Sequence, residues 1–169
     1  ALPSACVQDG RSTYEARDPN GPNLCFVIPE GFVAGTDENG NGGVRSPAIG
    51  SGPEPLFASL TIEVTPYQGK DLPELTDAFL KQYANVPVTI EHTSMTIGGD
   101  AAEVFEPVPG RLSARVVLVS HAPRQVYTLT FWPSFHDTPR AQWTSEMTQI
   151  QHDVDRLFEA VTRTLTFLP

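Results

Sequence analysis

A short stretch of this sequence has the residue types and spacing of a calcium-binding loop. Residues 36–43 read TDENGNGG, which matches the first half of the EF-hand pattern D-x-[DN]-x-[DN]-G. The side chains of Asp37, Asn39 and Asn41 and the backbone carbonyl of Gly43 fall at the first four ligand positions of such a loop. Calcium prefers oxygen ligands of these kinds, so the stretch is a candidate calcium site.

The second half of the calcium pattern is missing. Its remaining ligand positions fall on Arg45, which has the wrong charge, and on Ala48, which has no side-chain oxygen. A single carboxylate, that of Asp37, would then face a doubly charged ion, and no helical pattern flanks the stretch. The competing hypothesis is a turn cluster, because Asn and Gly readily adopt the backbone angles of tight turns.

The chain has two cysteines, Cys6 and Cys25. Their spacing fits no zinc site, which needs four clustered ligands. One hypothesis is a disulfide that fixes an N-terminal arm to the strand containing Cys25, and the alternative is a pair of free thiols in a reducing cytosol. The disulfide is favoured, because a low lysine content and many loops are typical of an exported protein. A lipidated Cys6 is a third hypothesis, although Pro3 stands where a lipidation signal has leucine.

The arrangement of nucleophiles and bases does not support an enzyme. The sequence has no G-x-S-x-G elbow, and Ser120 and His121 are neighbours whose side chains point to opposite faces of a strand. The histidines, which are His92, His121, His136 and His152, show neither the H-x-x-x-H nor the H-E-x-x-H spacing. We therefore expect a protein without catalytic activity and without a cofactor, and calcium in the loop at 34–56 is the alternative.

An aromatic cluster offers a candidate contact site for a partner. The segment YTLTFWPSF places Trp132 and Phe135 near the end of a predicted strand, and aromatic side chains of this kind are enriched at protein interfaces. The alternative is that these rings pack beneath the long C-terminal helix, and the sequence favours this packing.

Composition excludes several classes of partner. The formal net charge is −9, which argues against nucleic acid and anionic membrane surfaces, because both recruit lysine and arginine. No apolar run is long enough to span a bilayer, so we expect no membrane insertion by this chain. The 169 residues suit one domain, which we expect to be a monomer.

Apolar periodicity predicts an α+β domain. Alternation predicts strands in the segments 12–17, 24–29, 57–66, 88–97, 100–108, 111–121 and 124–133. Apolar spacings of three and four predict a short helix over 71–83, capped by Asp71 with Glu74, and a long helix over 138–165, capped by Thr138. The short connections between the later strands predict an antiparallel meander covered by the helices.

These elements also predict the domain boundaries. Residues 1–23 are expected to form an N-terminal arm, which a disulfide between Cys6 and Cys25 would tie to the rest. Residues 24–169 are expected to form a single domain. Within it, residues 34–56 read as a long irregular loop that carries the calcium-like stretch.

Short motifs in this domain resemble those of PsbP-like domains. The segment CFVIPEGF resembles their opening Y-x-x-P-x-G-W through Phe26, Pro29, Gly31 and Phe32. The segments TIGGDAAEVFEPV and RVVLVSHAPRQVYTLTF resemble their middle strands. FEAVTRTLTF is similar to their closing helix, although Thr164 and Phe167 depart from the family's ending S-F-x-F. The resemblance covers residues 24–168. It implies an α/β/α sandwich around a central, mostly antiparallel sheet, with one short helix and one long C-terminal helix.

The resemblance implies binding rather than catalysis. PsbP-like domains include a photosystem extrinsic protein and a nuclear-import factor that binds a small GTPase, and bacterial members include exported lipoproteins. We therefore expect a non-catalytic module that is secreted, periplasmic or lipid-anchored outside the cytoplasmic membrane, and that binds a protein partner or helps assemble a complex. The alternative is a small-ligand or calcium-binding module that uses the loop at 34–56.

Overall fold

The computed structural model describes residues 6, 12–50, 53 and 56–169. In chain order the elements are β1 (Thr13–Arg17), β2 (Asn23–Val27), β3 (Val33–Thr36), β4 (Gly42–Arg45), β5 (Ser59–Pro66), α1 (Leu72–Lys81), β6 (Glu91–Ile97), β7 (Asp100–Val108), β8 (Ala114–His121), β9 (Gln125–Trp132), α2 (Ser145–Thr164) and β10 (Thr166–Phe167). A short 3₁₀ helix, Arg140–Gln142, precedes α2. The predicted α+β class is confirmed, because two helices pack on antiparallel sheets.

Seven strands form the central sheet, in the order β3-β4-β5-β9-β8-β7-β6. All of its neighbouring pairs are antiparallel, and β6 to β9 form the predicted meander. Side chains alternate between the two faces along each strand. Leu60 and Ile62 of β5 therefore share a face with their partners Phe131 and Leu129 of β9, and the residues between them point to the opposite face.

One face of the central sheet is covered over most of its width by α2 and by a second sheet. The second sheet has three strands in the order β1-β2-β10, so the first and last strands of the fold lie in it. Toward the central sheet α2 presents Ile150, Val154, Leu157 and Val161, each of which is 0% exposed. Full burial of an apolar side chain of this size stabilises the fold by about 1.5–3 kcal/mol. This face therefore holds the main core.

Tyr127 joins the two sheets by hydrogen bonds. Its hydroxyl accepts from the backbone N–H of Asn23 at 3.1 Å and donates to the side-chain oxygen of Gln125 at 2.9 Å. Burial raises the pKa of this hydroxyl above its ordinary value, although the hydrogen bond from Asn23 and the charge of Arg124 act in the opposite direction. The phenol therefore stays neutral and keeps its donor.

The predicted cap of α1 is confirmed. The Asp71 carboxylate accepts from the backbone N–H of Glu74 at 3.0 Å, and the Glu74 carboxylate accepts from the backbone N–H of Asp71 at 3.5 Å. These reciprocal bonds satisfy two donors that the first helical turn cannot pair internally. Within the described residues, neither helix combines the length and the apolar content that a crossing of the bilayer demands.

The predicted start of the long helix is wrong. Helix was expected from Thr138, but α2 begins only after its N-cap residue Thr144, whose hydroxyl accepts from the backbone N–H of Met147 at 3.1 Å. Trp143 has an extended backbone, and its indole N–H donates to the Thr138 carbonyl at 3.0 Å. This bond and the Thr144 cap hold the preceding segment out of the helix, although its apolar spacing continues the helical pattern.

The segment 34–56 is not the irregular loop that the sequence predicts. It contains β4 and most of β3, which pair as a hairpin, and an isolated bridge joins Ile49 to Leu56. Because β4 also pairs with β5, the hairpin extends the central sheet by two strands. The sequence concealed these strands, since Gly35, Gly42 and Gly43 have no side chains whose alternation would reveal a strand.

The segment predicted as an N-terminal arm contributes β1, which pairs along its full length with β2. A disulfide joins Cys6 to Cys25, the middle residue of β2. The two cysteines are 2% and 0% exposed and form a small apolar cluster with Leu168. The disulfide therefore attaches Cys6 to the central strand of the three-stranded sheet.

Candidate functional site

Helix α1 leaves part of its apolar side uncovered. Leu72, Leu75, Phe79 and Leu80 pack toward the sheet, yet each of these side chains stays partly exposed. On the other face of the sheet, four apolar side chains of α2 are 0% exposed, while Met147 and Phe158 stay partly exposed. The two faces of the central sheet are therefore unequal, since the α2 face is covered more completely than the α1 face.

The face beneath α1 is only partly covered, because α1 is one short helix on a wide sheet. It packs chiefly on β7 and β8, where the ring centroids of Phe79 and Phe105 lie 4.3 Å apart. Seven strands at about 4.8 Å spacing are about 29 Å wide, whereas one helix with its side chains is about 10–12 Å wide. Within the described residues, the contacts of α1 with the sheet concentrate on β7 and β8, so the side of this face formed by β3, β4, β5 and β9 is less covered.

We call this uncovered surface the open face. It consists of the outward-pointing residues of four strands, which are Val33 and Gly35 of β3, Gly43 and Arg45 of β4, Ser59, Thr61, Glu63 and Thr65 of β5, and Val126, Thr128, Thr130 and Trp132 of β9. Where the open face meets α1, the two form a groove of about 560 Å³, walled by Leu75, Phe79 and Tyr83. Grooves of this volume are typical of binding sites.

The floor of the open face is rich in hydroxyl groups. Thr61 lies directly opposite Thr130, and Glu63 lies opposite Thr128. Side chains that pair in this way have Cβ atoms about 5 Å apart. Each threonine presents a methyl group and a hydroxyl, so the floor accepts a surface that is partly apolar and partly polar.

Charge is separated along the open face. Glu63 lies beside the β3–β4 turn, which carries Asp37 and Glu38. Arg45 lies at the opposite end of the paired strands, and Arg111 lines the groove from the β7–β8 connection at that same end. A bound partner therefore meets acidic groups at one end and basic groups at the other.

The two aromatic residues predicted as a partner contact lie on different sides of the sheet. Trp132 is half-buried, packs with the apolar cluster beneath α1 and lines the groove. Phe135 is 6% exposed and packs on the α2 side, with its ring centroid 6.3 Å from that of Trp143. Trp132 is thus accessible at the open face, whereas Phe135 has almost no surface to offer a partner.

The calcium-like residues form the turn of the β3–β4 hairpin. One carboxylate oxygen of Asp37 accepts from the backbone N–H groups of Asn39 at 2.9 Å and Asn41 at 2.8 Å. Gly43 lies within β4, opposite Thr61. These contacts are those of a tight turn, and nothing in them supports calcium binding. Among the described residues, no three or more His, Cys, Asp or Glu side chains converge as a metal site would require.

Two histidines pair with carboxylates without forming a catalytic triad. His92 Nδ1 and the Ser94 hydroxyl both contact Glu103, each at 2.7 Å. The imidazole is therefore directed at the carboxylate and is not placed to take the proton of the serine. His121 Nδ1 lies 2.6 Å from an oxygen of Asp100, which makes a second such pair.

A buried arginine ties α2 to the central sheet. Arg115 is 8% exposed, and its guanidinium donates to Glu106 at 3.1 Å and to Asp155 at 3.0 Å. The Ser134 hydroxyl donates to the same Glu106 oxygen at 2.6 Å. These polar groups satisfy one another, so the cluster acts as a structural connection between the layers.

Most of the open face could not be found from the sequence. Alternation placed Thr61, Glu63 and Thr65 on one side of a strand, and Trp132 stood out as an exposed aromatic candidate. The missing signal was the position of α1, which decides whether that side of the sheet is covered. No local pattern contains this information, because it depends on the order in which distant strands pair.

Comparison with solved structures identifies the architecture as a PsbP-like fold. The solution structure of cyanobacterial PsbP (CyanoP) from Synechocystis sp. PCC 6803 matches 99% of this chain and 99% of its own, with a TM-score of 0.53 and 11% identity. The crystal structure of LpqN, described as involved in cell envelope biogenesis of Mycobacterium tuberculosis, matches 94% of this chain and 91% of its own, with a TM-score of 0.52 and 13% identity. The predicted resemblance is confirmed for the fold. No family profile and no curated protein match the sequence.

Proposed function

We propose that this protein is a non-catalytic binding module that works outside the cytoplasm and holds a protein partner on its open face. The observation that carries the proposal is the inequality of the two sheet faces. Four apolar side chains of α2 are 0% exposed, whereas Leu75 and Phe79 of α1 remain partly exposed beside a groove of about 560 Å³. A partner that covered the groove would remove this apolar surface from water, which favours association.

A non-catalytic role is supported by the way in which the reactive groups are engaged. Ser94 and His92 share the Glu103 carboxylate, and the Arg115 guanidinium is held by carboxylates of the sheet and of α2. Neither CyanoP nor LpqN is described as an enzyme in the comparison. The runner-up function, a calcium or small-ligand site in segment 34–56, has no support from the turn geometry at Asp37.

The compartment is inferred from the disulfide and from the fold comparison. Disulfides persist in oxidising compartments and are rare in the cytosol. LpqN, which has a similar fold, is described as a protein of cell envelope biogenesis. The inference covers secreted, periplasmic and lipid-anchored forms. Alkylation of the protein from its native cells without reductant, followed by mass spectrometry, should leave Cys6 and Cys25 unmodified, and alkylated cysteines would contradict this location.

Photo-crosslinking tests the binding role. The crosslinking residue p-benzoylphenylalanine is placed at Thr130 in the floor of the open face, or at Thr93, an exposed threonine on the other face of β6. The purified proteins are irradiated with the cell-envelope fraction of the native cells. We expect a discrete protein adduct from Thr130, none from Thr93, and loss of the adduct when Thr128→Arg is added. Equal adducts from both positions, or none from Thr130, would refute the proposal.

A further inference from the structure

We infer that the partner contributes an amphipathic α-helix, which lies on the open face beside α1. The inference rests on the proposed function and adds the kind of element that the open face accepts. It follows from three properties of this surface, namely the state of its backbone hydrogen bonds, its width and wall, and its separated charges.

The backbone of the floor favours a helix over an extended peptide. Strands β4, β5 and β9 each lie between two neighbours in the sheet, so their backbone groups are already engaged in pairing. An extended segment laid across this floor would find no backbone partners, and burial of its unpaired N–H and C=O groups is unfavourable. A helix satisfies these groups internally and can be buried through its side chains alone.

The width of the open face fits one helix. From β9 to β3 the sheet extends over four strands, which corresponds to about 14 Å at a spacing of about 4.8 Å. A helix with its side chains is about 10–12 Å in diameter, so one helix fits beside α1 and two do not. The fold therefore has room for a second helix on this face, side by side with α1.

The wall of the groove has the spacing of a helix contact. Leu75 and Phe79 of α1 are four residues apart, line the groove and remain partly exposed, and Tyr83, just beyond the end of α1, continues the wall. Side chains spaced by four form the ridges that pack into the grooves of a neighbouring helix. Trp132, which is half-buried, adds apolar lining from the floor, whereas Val126 lies deeper and is 7% exposed. A partner helix therefore meets apolar surface on the side that faces α1.

The charges on the open face define the polar residues of this partner helix. Glu63, with Asp37 and Glu38 nearby, favours a partner helix that has lysine or arginine at the end lying over these acidic residues. Arg45, which is exposed, favours aspartate or glutamate at the other end of the partner helix. Complementary charges of this kind fix the direction in which a partner lies. The structure thus assigns the open face to an amphipathic helix with separated charges.

A peptide selection tests this inference without knowledge of the natural partner. A phage library of random 18-residue peptides is selected on the full-length wild-type protein, with removal of phage that also bind the Thr130→Arg variant. We expect the enriched sequences to carry apolar residues at spacings of three and four, with basic residues toward one end and acidic residues toward the other. Thr130→Arg should weaken these synthetic peptides by about tenfold or more, whereas Thr93→Arg should leave their affinity unchanged.

Charge reversal provides the second measurement. Selection on Glu63→Lys should enrich peptides with acidic residues in place of the basic ones, since the variant reverses the charge at that end of the floor. An alternating apolar pattern, or a charge preference that Glu63→Lys leaves unchanged, would overturn the helix while leaving the proposed binding role intact. Failure to enrich any peptide that depends on Thr130 would also overturn the helix. The crosslinking experiment then decides separately whether the open face binds a protein at all.

Discussion

At the residue scale, Asp37 is explained by the turn that it closes. Its carboxylate accepts two backbone hydrogen bonds that hold the β3–β4 turn, from Asn39 and Asn41. Asp37→Ala removes both, and we expect the free energy of unfolding in urea to fall by about 1–2 kcal/mol. Asp37→Asn keeps a side-chain oxygen that can accept a hydrogen bond, so it should lower the free energy of unfolding by less. The exposed neighbour Glu38 is the matched control, and Glu38→Ala should change stability by less than about 0.5 kcal/mol.

The same experiment separates the turn from an ion site. If Asp37 held calcium, addition of millimolar calcium would raise the melting temperature of the wild type and not that of Asp37→Ala. The turn explanation predicts that calcium leaves both melting temperatures unchanged. A rise that depends on Asp37 would contradict it.

A second prediction at the residue scale concerns the substitution of Arg115. Its removal leaves Glu106, which is 21% exposed, without its main counter-charge beneath α2. Breaking a buried ion pair costs about 3–5 kcal/mol, and the partial exposure of the acid reduces this. We expect Arg115→Met to lower the free energy of unfolding by about 2 kcal/mol. Arg17→Met, which breaks an exposed pair with Glu15, is the control and should cost less than about 1 kcal/mol. Equal losses would show that the Arg115 cluster has no structural role.

At the scale of elements, the two helices should differ in how much their packing stabilises the fold. Leu157 of α2 is 0% exposed, whereas Leu75 of α1 is partly exposed at the groove. Leu157→Ala should lower the free energy of unfolding by about 2–5 kcal/mol, because it leaves a cavity in a sealed core. Leu75→Ala should cost about 1 kcal/mol, because water already reaches the site. Urea denaturation of both variants measures the contrast, and a larger loss at Leu75 would show that the α1 side is closed.

Elements were predictable from the sequence where a local interaction defines them. The capping box of Asp71 and Glu74 marked the start of α1, and alternation marked β5 through Leu60 and Ile62. The start of α2 was missed, because the indole hydrogen bond of Trp143 to a carbonyl overrides apolar spacing. The β3–β4 hairpin was missed because glycine hides alternation. These failures share a cause, since each depends on an interaction that periodicity does not encode.

At the scale of the whole molecule, the disulfide links Cys6 to the sheet that also holds β10. The cysteines are separated by 19 positions, and closing a loop of this length stabilises the fold by about 3 kcal/mol in the chain-entropy account. We expect Cys6→Ala with Cys25→Ala to lose this amount in urea denaturation. Reductant should destabilise the wild type by a similar amount and leave the double variant unchanged. If reductant added to the unfolded wild type left its free energy of unfolding unchanged, this explanation would be contradicted.

The whole-molecule arrangement was predictable only in outline. The α/β/α sandwich followed from short motifs and the order of elements, and it is confirmed. The unequal covering of the two faces was not predictable, because it depends on the pairing of β5 with β9 across a separation of many residues. That pairing places Thr61 beside Thr130 and creates the open face. The candidate site is thus a property of topology, to which individual residues such as Trp132 contribute.

The central claim, that the open face binds the partner, is tested most directly by the fluorescence of the two tryptophans. Trp132 lines the groove, whereas Trp143 packs with Phe135 on the α2 side. Trp143→Phe and Trp132→Phe each leave a single tryptophan in this chain, which has two. The protein captured by crosslinking from Thr130, prepared without tryptophan, is titrated into each variant. Binding on the open face predicts a saturable change in the emission of Trp132 and none in that of Trp143; a response of Trp143 alone would contradict the account.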